Sequence, residues 1–183
     1  RLTDLEMASR LSFFLWSSIP DDELLDEAVA GRLSQPAVLE DQVLRMLADE
    51  RADALFENFA GQWLQLRNMD LISPDPVQYR NFDDKLRQAM RMETEALFEH
   101  VMRNDLPLTE FLEADYSFIN ARLARHYGIK GVSGDKLQKV SLAGTRRRGI
   151  LTHGSILSIT SNPTRTSPVK RGKWILDNIL GTP

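Results

Sequence analysis

Apolar positions recur at helical spacing along most of this chain. Met7, Leu11, Phe14 and Leu15, with Trp16 beside them, follow a capping box in which Thr3 is the N-cap and Glu6 reaches back to it. Ser17-Ser18-Ile19-Pro20 ends that helix. Asp21 and Asp22 open a second, which carries Leu24, Leu25, Ala28 and Val29 and closes near Gly31. A third is expected from Ser34 as cap, with Pro36 in its first turn and Val38, Leu39, Val43, Met46 and Leu47 on one side. The fourth, expected from about Arg51 to about Leu66, has the widest stripe (Leu55, Phe56, Phe59, Trp63, Leu64), which marks it as central. Asn58 and Gln62, beside that stripe, suit hydrogen bonds to each other or to loops.

Arg67 to Phe82 is the longest interruption, and its Ser73-Pro74-Asp75-Pro76 cannot be a helix interior. Asp83 restarts a long helix to about Asn104, with Leu86, Met90, Leu97 and Val101 as its stripe. Glu93 falls on that apolar face, so its carboxylate must be paired, hydrated or protonated. An arginine, drawn from the basic stretch near the C-terminus, is the expected partner. His100 projects to nearly the same side, but the spacing is not the Glu-x-x-His of a carboxylate metal site and no second copy exists. No metal site is expected. A short helix over Leu106–Ala114 follows. Asp115-Tyr116-Ser117 then reads as a turn capping a helix that buries Phe118, Ile119, Leu123 and Ala124 and ends at Gly128. Leu137 to Leu142 alternates apolar and polar, as a strand or hairpin arm does. The pattern predicts an all-α fold, a multi-helix orthogonal or bundle-like domain of about seven or eight helices, with a small β-hairpin or strand element near 137–152. Residues 1–130 are expected to form a helical module. Residues 131–183 are expected to supply the β element, a basic loop and a C-terminal helix packed on it.

Arg146 to Trp174 concentrates the basic residues, and its Ser, Thr, Asn, Pro and Gly are dense for an ordinary helix. Ser161-Asn162-Pro163-Thr164 is turn chemistry. Ser167 then reads as an N-cap and Pro168 as the first residue of the last helix, which runs to Gly181. Arg165 just before that helix, and Lys170, Arg171 and Lys173 in its first turns, oppose its dipole. An anion would account for them: an Asp or Glu from elsewhere in the fold, or a ligand carboxylate or phosphate. Plain solvated charge is the third reading. Arg165, Thr166, Ser167, Lys170 and Arg171 are therefore the candidate anion- or ligand-binding residues, and Glu93 the candidate buried polar partner. No catalytic constellation is evident. His153 is the one weak candidate for an acid-base residue, with Ser155, Thr160 or Ser167 as hydroxyl partners.

A net charge of -3 argues against nucleic-acid binding. The absence of cysteine excludes disulfides, thiolate metal sites and covalent c-type haem attachment within this chain. No stretch reaches the roughly 20 apolar residues of a membrane span, and no signal peptide is visible. The first residue is Arg1 and the last are Gly-Thr-Pro, ends expected of a piece of a longer polypeptide.

Several segments resemble a family of planctomycete-type domains of unknown function found in large secreted proteins alongside a planctomycete cytochrome c domain. They are RLSFFLWSSIPDDELL (Arg10 to Leu25), ENFAGQWLQLRN (Glu57 to Asn68), RMETEALFEHV (Arg91 to Val101), DYSFINARLARHYGI (Asp115 to Ile129) and GILTHGSILSITSNPTRTSPVKRGKWILDNILGTP (Gly149 to Pro183). The resemblance spans two adjacent modules with a border near residues 130–145. It implies a periplasmic or extracellular setting, neighbouring domains of the same polypeptide as partners, and haem c in one of those neighbours, with no cofactor in this chain. It implies no reaction. Two roles are expected: a helical module that positions or docks neighbouring domains, or a binding domain or enzyme that grips an anionic small molecule or acidic glycan at the Arg165–Arg171 loop.

Overall fold

The computed structural model describes residues 2–182. The described residues are all-α apart from one two-stranded antiparallel sheet, and the chain divides into two compact units, Arg1–Phe59 and Ala60–Pro183. That division by compactness lies inside the helical module expected over residues 1–130.

In the first unit, α1 (Asp4–Trp16) begins at Thr3 with the expected reciprocal box: Glu6 N–H donates to the Thr3 hydroxyl and Thr3 N–H to the Glu6 carboxylate. Asp21 caps α2 (Asp22–Val29). Gln35, not Ser34, precedes α3 (Pro36–Ala48), and its side chain makes no cap bond; Pro36 at the first position fixes the start instead. Trp16 anchors the unit. Its indole N–H donates to the Met46 carbonyl at 2.9 Å, and the Arg51 guanidinium lies over its ring at 3.5 Å. The buried side of α1 is Ala8, Ser12, Leu15 and Trp16, while Phe14 is more than half exposed, so the helix turns a narrower face inward than its apolar spacing predicts.

The expected fourth helix is broken into pieces. A 3₁₀ turn (Glu50–Ala52), a π-helical turn (Leu55–Ala60), α4 (Gly61–Trp63) and a second 3₁₀ turn (Leu66–Asp70) replace it. Its apolar positions are too wide for one regular face. The π turn re-phases them, and Gln65 in the left-handed region stops the run.

The second unit is built around α5 (Asp84–Arg103), capped by Asp83. Leu86, Ala89 and Met90 of α5 pack with Met69, Ile119, Leu123 and Ala124. After α6 (Glu110–Glu113) comes β1 (Tyr116–Ile119), where the sequence pattern predicts a turn and a helix start. The alternation is the reason: Ser117 and Ile119 point inward, Tyr116 and Phe118 do not, and Asn120 supplies the cap for α7 (Ala121–Tyr127). β1 pairs antiparallel with β2 (Gln138–Ser141), Tyr116 opposite Ser141. The β element near 137–152 is thus confined to residues 138–141, because Gly149 at φ +50° turns the chain into a 3₁₀ turn (Ile150–Thr152) and a buried helix, α8 (Gly154–Ile159). Ser158, Thr160 and Ser161 lose nothing by this: Thr160 and Ser161 hydroxyls donate to helix carbonyls, and Ser158 faces the Met90 sulfur. The last helix, α9 (Pro168–Asn178), starts with Ser167 accepting from Lys170 N–H.

Candidate cleft and buried polar network

Two interruptions that are far apart in sequence line one cleft. The break over 71–82 contributes Leu71, Ile72, Tyr79 and Phe82, and the segment over 157–171 contributes Leu157, Ile159, Asn162, Thr166, Lys170 and Arg171. The cleft holds about 480 Å³ and lies wholly within the second unit. Asp75 N–H donates to the Pro163 carbonyl at 2.9 Å and ties the two segments together. Asn162 and Arg165 exchange backbone bonds in a tight turn closed by the Ser161–Thr166 bridge, which holds Thr166 and the start of α9 at the cleft.

The expected site residues separate. Thr166, Lys170 and Arg171 line the cleft; Arg165 is exposed and does not, and Ser167 is occupied as the N-cap. Among the described residues no carboxylate lies within ion-pair distance of Arg165, Lys170 or Arg171, whereas Lys173 pairs with Asp177 on its own helix. An internal carboxylate thus accounts for Lys173 and not for the other three, of which Arg165 and Lys170 are exposed. Asp75, the acid in the opposite segment, spends its carboxylate on its own turn, accepting from Val77 and Gln78 N–H. Arg171 makes only a long bond, 3.4 Å, to the Thr160 hydroxyl. His126 also lines the cleft; partial burial, then Arg147 and Arg122, hold its pKa below the usual value.

Glu93 is 1% exposed, but among the described residues its partners are hydroxyls and not an arginine. Its two oxygens accept from the hydroxyls of Ser117 at 2.7 Å and Tyr127 at 2.5 Å. The Tyr127 oxygen in turn accepts from Gly154 N–H at 2.7 Å, and the Arg147 guanidinium lies over its ring at 3.5 Å. The long helix and the basic stretch are thus joined through a tyrosine. Burial, followed by the Glu93 charge and its hydrogen bond, raises the Tyr127 hydroxyl well above its ordinary pKa.

His153 sits beside this network, 1% exposed. Its Nδ1 shares a 2.9 Å hydrogen bond with Thr94, whose hydroxyl also meets Ser155 at 2.7 Å; Nε2 has no partner. Burial lowers its pKa despite the Glu93 charge. His153 is not among the cleft residues, and Thr160 and Ser167, two of its expected hydroxyl partners, are bound elsewhere. His100 is apart from Glu93, with Nε2 at 2.9 Å from Lys139 Nζ. Asn58 donates to the hydroxyl of Ser17, in the turn after α1, one of the loop bonds expected of it. Among the described residues no group of three or more His, Cys, Asp or Glu is arranged to hold a metal ion.

Sequence reasoning missed one wall of the cleft. Leu71, Ile72, Tyr79 and Phe82 lie in a segment read only as an interruption, although so many apolar residues in a Pro- and Asp-rich break were a signal. It also missed Tyr127 and Ser117 as the partners of the buried acid.

Residues 2–129 match the family model described as PSD4, protein of unknown function (DUF1592), and residues 147–183 match PSCyt3, protein of unknown function (DUF1588). No curated protein and no solved structure matches.

Proposed function

The chain belongs to the DUF1592 family of proteins of unknown function, with a DUF1588 module directly after it, and on that premise we propose that it is a helical binding module whose cleft grips an anionic ligand. The observation that carries this reading is the pair Lys170 and Arg171: two cations at a concave, largely apolar cleft, with no carboxylate partner among the described residues. Lys170 is exposed and Arg171 half-buried, so both can reach an incoming anion, to which they offer charge-assisted hydrogen bonds. A pocket of this size with a few convergent polar groups is the form small-ligand sites take.

The module names, one of them PSCyt3, support placing the chain in a larger extracytoplasmic polypeptide whose haem c sits in a neighbouring domain. No helix among the described residues is long and apolar enough to cross a membrane. His153 has no part in this reading, because a buried imidazole outside the cleft cannot exchange a proton with a ligand there.

The test is thermal unfolding at low salt against inorganic and organic anions, on the parent chain and on Lys170→Gln/Arg171→Gln. A ligand at 100 times its Kd stabilises the native state by about 2.7 kcal/mol. The expected result is an anion that raises the parent melting temperature by several degrees and leaves the variant unmoved. An equal rise in both, or none in either, contradicts the reading.

A second reading, docking of neighbouring domains, is favoured by the exposed apolar face of α1 and its following turn, where Phe13 is 54%, Phe14 55% and Ile19 71% exposed. Here the occupant is the haem-bearing domain of the same polypeptide. That domain supplied in trans should bind the parent chain and lose affinity for Phe13→Ser/Phe14→Ser; equal affinity for both removes this reading.

A further inference from the structure

The cleft's walls say more about its ligand than its charges do. Lys170 and Arg171 belong to the lining, but most of the lined surface is apolar, with Met90, Leu157, Ile159, Ile72 and Phe82 contributing to it. Leu71 and Tyr79 stand at the same cleft 80% and 43% exposed, and Leu71 is among the most exposed large apolar residues of the chain. An exposed leucine is ordinary by itself. Exposed apolar side chains collected around a concave apolar surface are not, because each forgoes about 25 cal/mol for every Å² left in water. A small hydrated anion such as phosphate would satisfy the cations and leave this wall uncovered. A uronate would find partners at Ser73, Ser158, Ser161 and Asn162, but its hydroxyls would lose water wherever they met the larger apolar part of the lining.

We infer that the ligand of this cleft is an amphipathic organic acid: a carboxylate held by Lys170 and Arg171, and an apolar body laid against Leu71, Ile72, Phe82, Leu157 and Ile159. This rests on the anion-binding reading above and narrows it from anions in general to acids with an apolar body. Asn162 and Thr166 line the same cleft as the two cations and add polar groups for the head group. The volume, about 480 Å³, accommodates a body well beyond a single small ring or short acid.

Calorimetric titration of the chain with octanoate, octanol, glucuronate and inorganic phosphate separates the possibilities. The parent should bind octanoate at least about tenfold more tightly than glucuronate or phosphate, a difference of about 1.4 kcal/mol. Lys170→Gln/Arg171→Gln should weaken octanoate about tenfold or more and leave octanol unaltered. Leu71→Ser, a change at an exposed position that the fold tolerates, should weaken octanoate severalfold and leave phosphate unaltered. Glucuronate or phosphate binding as tightly as octanoate, with loss in the charge variant, overturns the amphipathic assignment while the anion reading survives. Octanol matching octanoate, with no effect of the charge variant, overturns both, and so does binding of none of the four.

Discussion

Tyr127 carries the most consequential single hydroxyl in the second unit. It donates to Glu93 and accepts from Gly154 N–H, so one oxygen satisfies a buried carboxylate and a buried amide. Phenylalanine keeps the shape and removes both bonds. Tyr127→Phe should therefore destabilise the chain by about 2–3 kcal/mol in urea unfolding, the cost of stranding two buried polar groups; a loss below about 0.5 kcal/mol would show that Ser117 alone suffices for Glu93. Gly149 is constrained differently. A Cβ there would lie 2.3 Å from the Phe111 carbonyl oxygen, in a backbone conformation at φ +50°. Gly149→Ala should cost roughly 3 kcal/mol or more, seen as a large drop in melting temperature. The burial of Glu93 could be read from its place in an apolar stripe. Its partners could not, because a hydroxyl donor carries no sequence signal comparable to an arginine run, and the tyrosine that serves it stands 34 positions away.

At the scale of elements, Asp21 does two jobs in the first unit. Its carboxylate caps α2 through Leu24 N–H and anchors α3 through two bonds to Arg45, at 2.8 and 3.0 Å, with Arg51 as a further partner. The Arg45 hydrogen bond is the main reason its pKa falls from 3.8 to about 2. Asn is as good a cap as Asp, so Asp21→Asn isolates the charge. It should lose up to about 2 kcal/mol at neutral pH. The carboxyl is depressed in the folded state, so its contribution is complete above pH 3.8 and disappears as pH falls towards 2. The gap between parent and variant in urea midpoints should close over that window; a gap that persists below pH 2 would assign the loss to packing. Elements with strong local signals were legible: α1 from its capping box, α5 from Asp83, α9 from Ser167-Pro168. The failures lie where periodicity is a weak guide. The stretch over 50–70 is apolar on too many sides for its period to fix a regular helix, and the four residues of β1 are too few for alternation to outweigh a turn-like Asp115-Tyr116-Ser117.

At the scale of the whole molecule, residue type pointed to an anion without fixing its source. A single sequence offers no means of telling an internal carboxylate, a ligand and plain solvated charge apart. The cleft depends on two interruptions more than eighty positions apart meeting through Asp75 and Pro163, a juxtaposition that only the packing of α5, α7 and α8 creates. Arg165, one of the five residues expected at the site, is exposed at the tight turn that begins at Asn162 and does not line the cleft. The central claim is that this cleft is a binding site. The most direct measurement is a two-dimensional amide NMR titration of the intact chain, run separately with octanoate, glucuronate and phosphate. The account predicts that at least one of them shifts amides concentrated in residues 71–82 and 157–171, saturably and at one stoichiometric site. Shifts confined to the Arg146–Arg148 run or scattered over the surface, or no shift with any of the three, would contradict it.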